Sequence, residues 1–199
     1  MPVESFAALA ARVLAAPPRL GPVRLVAVDG FAGSGKTTFA GRLAAALSAQ
    51  VLHTDDLLEG WADTVSFWPR LDEWVLAPLR SGRSGRYHRY DWLHQRFGSQ
   101  WHAVPLAPAL VVEGVTSARA AVRPELTLSV WVDAPKSVRT ARGIARDGEA
   151  SLPLWQAWQV AEEAHAEADR TLDQVDLVVV GNPPVPPDPA TAFVILRSR

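Results

Sequence analysis

Nine consecutive residues, Gly30-Phe31-Ala32-Gly33-Ser34-Gly35-Lys36-Thr37-Thr38, combine a pliable backbone, one positive charge and several hydroxyls in a spacing suited to phosphate. Glycines let successive backbone N–H groups converge on an anion, and a helix opening at the end of the run adds its positive end. Lys36 can reach the terminal phosphates of a nucleoside triphosphate as a point charge, and the Thr37 hydroxyl can join a magnesium shell. The pattern Gly-x-x-x-x-Gly-Lys-Thr has this meaning only between a strand and a helix. That context is present, because the largely apolar Val23 to Val28 precedes it and Phe39, Leu43 and Leu47 follow at four-residue intervals. A glycine-rich turn that merely caps a helix is the alternative, and the full pattern in this setting outweighs it. Gly30, Ala32, Gly33, Ser34, Gly35, Lys36, Thr37 and Thr38 are the expected nucleotide contacts.

Carboxylates come next. Thr54-Asp55-Asp56 follows a short apolar stretch, Val51 to His53, one helix beyond the glycine-rich run. In open parallel sheets ligands gather beyond the carboxyl ends of the strands, where one carboxylate can orient and deprotonate an acceptor hydroxyl while another serves a metal. Asp55, nearer the strand end, is the preferred base and a candidate metal ligand, and Asp56 is assigned to the acceptor. Both could instead cap a helical turn. Ala109 to Val112 is apolar throughout, as in a strand buried on both faces, and ends at Glu113-Gly114. A carboxylate there can hold magnesium directly or through water, so Glu113 joins Thr37 and Asp55 as a candidate ligand.

Arg139, Arg142 and Arg146 recur at spacings of three and four after Pro135, which places them on one helical face. Arginine forks follow phosphate oxygens and neutralise charge during phosphoryl transfer. Arg139 and Arg142 are expected in the chemistry and Arg146 on the nucleotide. Gly143 and Gly148 suit a mobile cover over 136–152. Between these parts, 61–101 changes character: Trp61, Trp68, Trp74, Trp92 and Trp101 are interleaved with Tyr87, Tyr90 and six arginines. Aromatic plates beside polar groups can hold a planar acceptor, stack nucleic-acid bases, or form a satellite core.

The elements needed to position these residues can be read from periodicity. Val3 to Leu14 reads as an alanine-rich helix, Arg24 to Val28 as a strand, and Lys36 to Ala49 as the helix opening at the phosphates. Arg70 to Leu79 reads as helical, Arg86 to Trp92 as irregular or a hairpin, and Leu126 to Asp133 as a strand. Leu154 to Leu172 reads as an amphipathic helix, Val175 to Val180 as a strand, and Pro183 to Pro189 as a rigid connection. Phe193 to Leu196 adds a short strand or docks on the core. The expectation is one α/β domain over 1–199, a three-layer phosphate-loop fold with a mostly parallel sheet and a short arginine-bearing lid.

Composition bounds the partners. The 199 residues carry 20 basic and 21 acidic side chains for a formal charge of −1, which gives no global attraction to nucleic acid or anionic membrane. With no cysteine, disulfides and thiolate chemistry are excluded. The alanine-rich start is interrupted by Arg12 and Pro17-Pro18 and makes neither a convincing signal nor a membrane span. A cytoplasmic protein with a small-molecule partner is expected, without a stable nucleic-acid or membrane partner, and self-association into a homo-oligomer is left open.

Taken in order, the phosphate loop, Thr54-Asp55-Asp56, Tyr90-Asp91-Trp92, Glu113-Gly114 and the Arg139 to Arg146 series resemble the uridine kinase and phosphoribulokinase superfamily, nearest its uridine kinase-like nucleoside kinases. The resemblance runs over Val23 to Val180. It implies ATP in the loop, Mg2+ near Thr37 and Glu113, a catalytic aspartate at Asp55, and an arginine lid from Arg139 to Arg146. More loosely, it implies a nucleoside pocket that includes Asp72, Arg89, Tyr90, Asp91, Trp92 and His94. The chain departs from the family's usual pattern at Asp56-Leu57-Leu58, where serine, phenylalanine and tyrosine are usual, and the His94 and Arg96 spacing is one residue short.

Overall fold

A computed structural model describes residues 1–183 and 188–199. In chain order the first elements are β1 (Val3–Ser5), α1 (Phe6–Ala15), β2 (Arg24–Asp29), α2 (Lys36–Leu47) and β3 (Gln50–His53). Then come α3 (Trp68–Leu71), a π-helical turn (Asp72–Leu76), α4 (Ala77–Arg80), β4 (Gly85–Asp91), β5 (Arg96–Val104) and β6 (Ala109–Glu113). The remainder is β7 (Leu126–Asp133), α5 (Lys136–Asp147), α6 (Leu152–Ala168), α7 (Thr171–Gln174), β8 (Leu177–Val180) and β9 (Ala192–Ser198).

Seven strands form one sheet in the order β1-β9-β8-β7-β2-β6-β3, and β4 and β5 pair as a separate antiparallel hairpin. Five neighbouring strands, β8 through β3, run parallel, whereas β9 and β1 close one edge antiparallel, so the sheet is mixed. Each parallel strand is an apolar run because helices cover both faces. On one face α1 and α2 bury Leu9, Val13, Phe39 and Leu43 against Val26, Val28, Val130 and Val179. On the other, Leu71, Leu76 and Leu79 of the α3–α4 segment, Tyr87 of the hairpin and Trp158 of α6 pack on Leu25, Ala27, Val112 and Trp131. Alternate side chains of one strand thus feed two cores, as a two-residue repeat requires. The result is three layers, with the hairpin as an excursion on the second face.

Several element boundaries differ from the sequence reading, each for a local reason. The first helix begins at Phe6, because Val3–Ser5 adds to the sheet edge beside β9 and the Ser5 hydroxyl caps the helix by accepting the Ala8 N–H at 3.1 Å. The helix expected over Arg70 to Leu79 is divided by the π-helical turn at Asp72–Leu76. The expected helix over Leu154 to Leu172 ends at Ala168, because Arg170 adopts a left-handed conformation (φ 52°) before α7. Of the proline-rich connection expected over Pro183 to Pro189, 184–187 lie outside the described residues. Among the described residues no helix is long and apolar enough to cross a membrane.

Candidate active site

The glycine-rich run joins β2 to α2, and β2 lies between β6 and β7, so the loop opens at the carboxyl ends of the central strands. Gly33 has a φ of +79°, and a β-carbon there would strike the Arg139 carbonyl, so this glycine both bends the loop and lets it rest on α5. Lys36 is buried at 7% exposure, and its ammonium donates to the Phe31 carbonyl at 3.0 Å, which folds it over the loop. The Thr37 hydroxyl donates to Glu113 Oε1 at 3.2 Å, and Glu113 Oε2 is 2.7 Å from His53 Nδ1. That hydrogen bond, before any other influence, raises the His53 pKa. Glu113 is therefore held from both sides, by the first turn of α2 and by the end of β3.

Behind the loop, Asp29 closes β2 with its carboxylate buried at 1% exposure. It accepts backbone N–H groups of Gly30 at 2.7 Å, Thr116 at 3.1 Å and Ala118 at 2.8 Å, which ties the loop base to the segment after β6. Burial pushes its pKa up to about 6, against the opposing effect of those N–H groups and of Lys36.

Asp55 lies in a 3-10 turn, Thr54–Asp56, at the end of β3. Its surface is open to solvent, yet protein atoms crowd the carboxyl closely. That crowding, followed by the charge of Glu113, raises its pKa, while Lys36 and Arg146 pull the other way. The base, the lysine, the metal-side carboxylate and one lid arginine thus share an electrostatic neighbourhood, as the sequence suggested. Asp56 points elsewhere. It accepts from Tyr87 Oη at 3.1 Å and Arg89 Nε at 2.7 Å, anchoring the hairpin to the end of β3.

The three arginines of α5 have different partners. Arg139 is 4% exposed; its guanidinium bonds Glu162 at 3.2 Å and the Ala134 carbonyl at 3.1 Å, and lies 4.6 Å from the Phe31 ring centroid. Arg142 donates to the carbonyls of Gly33 at 3.1 Å and Gly181 at 3.3 Å and to Asn182 Oδ1 at 3.0 Å, bridging the loop to the end of β8. Arg146 pairs with Asp147 at 2.8 Å, faces the Trp155 ring at 5.7 Å and carries charge toward Asp55. One helical face therefore serves three tasks, and the expectation of direct phosphate contact from Arg139 is corrected by its buried pairing.

Beside Asp55 stands an aromatic wall. Trp92 donates its indole N–H to the Asp55 carbonyl at 3.1 Å, and its ring meets Trp61 at 5.9 Å and Tyr90 at 5.3 Å. Trp61 also meets Trp155 and Trp158 of α6 edge-on, at 6.3 and 5.9 Å, joining the excursion to the helix beyond the lid. Asp91 caps the hairpin turn: it accepts the Leu93 and His94 N–H groups at 3.0 Å and pairs with His94 Nδ1 at 2.7 Å. Arg89, Tyr90 and Trp92 thus reach the Asp55 side, whereas Asp91 and His94 are engaged with each other in the turn. Asp72 is not brought in. It bonds Arg80 at 2.9 Å, and Arg80 bonds Glu125 at 2.6 Å, immediately before the amino end of β7 and so at the opposite end of the strands from the loop.

Among the described residues no three His, Asp or Glu side chains form a metal cage. Magnesium needs none, since one or two carboxylates with phosphate oxygens and water complete its octahedron. A buried Glu113 at 3.2 Å from the Thr37 hydroxyl fits that donor set. Sequence reasoning missed Glu162, whose carboxylate accepts the Ala32 backbone N–H at 2.8 Å. It also gave no role to Asp29, His53 or Trp155. Glu162 sits among Ala161, Glu163 and His165 on a helix, and no spacing marks it out.

No protein-family model matches this chain, and no curated protein matches it. Solved structures do. A protein from Bacillus stearothermophilus named a possible uridine kinase aligns with a TM-score of 0.62 at 22% identity, covering 87% of this chain and 96% of its own. One from Silicibacter sp. TM1040 named a candidate fructose transport system kinase aligns at 0.60 and 22% identity, covering 88% and 98%. At such identities the likeness establishes the fold, an α/β architecture with a central mixed sheet and flanking helices.

Proposed function

We propose that the protein is an ATP- and magnesium-dependent kinase that transfers the terminal phosphate to a hydroxyl of a small molecule. One observation carries the reading: the Asp55 carboxyl lies within electrostatic reach of Lys36, Glu113 and Arg146 at the mouth of the phosphate loop. The loop N–H groups and Lys36 bind the phosphates, and Arg146 brings positive charge to the same mouth. Magnesium, when bound, supplies positive charge that bridges phosphate oxygens, and Thr37 and Glu113 would hold it. Asp55 orients the acceptor hydroxyl and takes its proton as the oxygen becomes a nucleophile. Its raised pKa makes it a stronger base than an ordinary aspartate. Arg142 secures the loop carbonyls so that the N–H groups on the other side of those peptides stay aligned.

The wall of Trp61, Tyr90 and Trp92 suits a planar acceptor, and a nucleoside is the first choice within the hydroxyl-bearing class. The residues 61–101 serve as the acceptor-binding excursion in this reading, and 136–152 as the lid. The test is a panel of nucleosides, sugars and hydroxylated antibiotics with ATP and magnesium, read by product mass. A phosphorylated nucleoside supports the full reading, and a phosphorylated sugar or antibiotic supports the kinase but not the nucleoside. ATP consumed with no phosphorylated acceptor would make the protein a nucleotide-dependent regulator instead.

A further inference from the structure

A backbone N–H in a phosphate loop is expected to face an anion, and the anion that the Ala32 N–H meets is the carboxylate of Glu162, at 2.8 Å. Glu162 is 1% exposed and receives two further donors, Trp158 Nε1 at 3.1 Å and the Arg139 guanidinium at 3.2 Å. Burying an acid this deeply costs free energy that only charged or hydrogen-bonding partners offset. Here those partners belong to three elements: the loop, α5 and α6. The links continue, since Arg139 lies over the Phe31 ring at 4.6 Å and the Phe31 carbonyl receives the Lys36 ammonium at 3.0 Å. Two successive loop residues, Phe31 and Ala32, are thereby fixed by one ion pair from outside the loop.

We propose that Glu162 is a positioning residue for the phosphate loop. It fixes the direction of the Ala32 N–H and, through Arg139 and Phe31, the place from which Lys36 reaches the phosphates. The loop geometry then depends on how α5 and α6 are seated, which couples the donor site to the two helices flanking the acceptor wall. Glu163, exposed and 3.7 Å from Arg139, supplies a nearby second carboxylate that touches no loop atom and serves as the control.

This inference rests on nucleotide binding at the loop, so the experiment begins with calorimetric ATP binding to the unaltered protein. No binding there would reject the nucleotide reading itself. With binding established, Glu162→Asp keeps the charge and the Arg139 partner but withdraws the carboxylate from Ala32 by one methylene, and Glu162→Gln keeps the acceptor and removes the charge. Glu162→Asp is expected to weaken ATP binding about tenfold, to shift the Ala32 amide resonance, and to lower kcat of ATP turnover more than it raises the acceptor KM. Glu163→Gln is expected to leave all three unchanged. ATP affinity and the Ala32 resonance unchanged in Glu162→Asp would overturn the proposal. So would an equal loss in Glu163→Gln. If Glu162→Asp does not fold, Glu162→Gln decides by the same ATP-binding and Ala32 readings: changes in both support the proposal, and unchanged values overturn it.

Discussion

The Thr37 hydroxyl donates to Glu113 Oε1 at 3.2 Å across a sequence separation of 76 residues, joining the first turn of α2 to the last residue of β6. The contact follows from β2 and β6 being parallel neighbours, with Val28 paired to Glu113, so that the loop after β2 starts beside the carboxylate that ends β6. If the pair forms the protein side of a magnesium site, Glu113→Gln should lower ATP turnover by about a hundredfold or more, the range for losing an electrostatic partner of a transition state. ATP binding without magnesium should be nearly unaffected. A variant with wild-type turnover across a magnesium titration would remove Glu113 from the site.

Asp55 leads to a pH prediction with a definite sign. A base must be ionised to accept a proton, and crowding together with Glu113 raises the Asp55 pKa. Activity should therefore fall, as pH is lowered, at a higher pH than an ordinary aspartate near 3.9 would give. Asp55→Asn should reduce acceptor-dependent turnover at every pH while retaining ATP binding. An acid limb at or below 3.9, or turnover retained in Asp55→Asn, would dismiss Asp55 as the base.

Arg139 and Arg142 should separate stability from nucleotide binding. Arg139 is buried against Glu162, so Arg139→Ala leaves an uncompensated buried carboxylate and should cost about 3–5 kcal/mol of folding stability in urea denaturation. Arg142 is exposed and holds carbonyls of Gly33 and Gly181, so Arg142→Ala should change stability by less than about 1 kcal/mol, as for surface substitutions, while weakening ATP binding. Reversal of this order would show that the two guanidiniums have been assigned the wrong tasks.

Asp29 should make stability fall as pH rises. Its folded pKa of about 6 exceeds the model-compound value of 3.8, so the folded state holds the proton more tightly than the unfolded chain does. The Asp29 contribution then decreases between pH 3.8 and 6 and stays at its lowest above that window, a difference of about 3 kcal/mol from a shift of this size. The raised pKa values of His53 and Glu162 act in the same direction. Urea midpoints at pH 5, 6 and 7 should decline in that order, and midpoints that rise would contradict the assignment.

The sequence by itself determined the phosphate loop, the buried strands, the aspartate after β3 and the glutamate ending β6. Each is a local pattern: a glycine spacing between strand and helix, an apolar run, a carboxylate at a strand end. It also placed the three arginines on one helical face. Only the tertiary structure decided what those arginines hold, because Arg139, Arg142 and Arg146 share a periodicity but meet Glu162, the loop carbonyls and the Asp55 side respectively. For the same reason Asp72 went to Arg80 at the far end of the strands and Glu162 came to Ala32, since the partner of a charge is chosen by packing between elements remote in sequence.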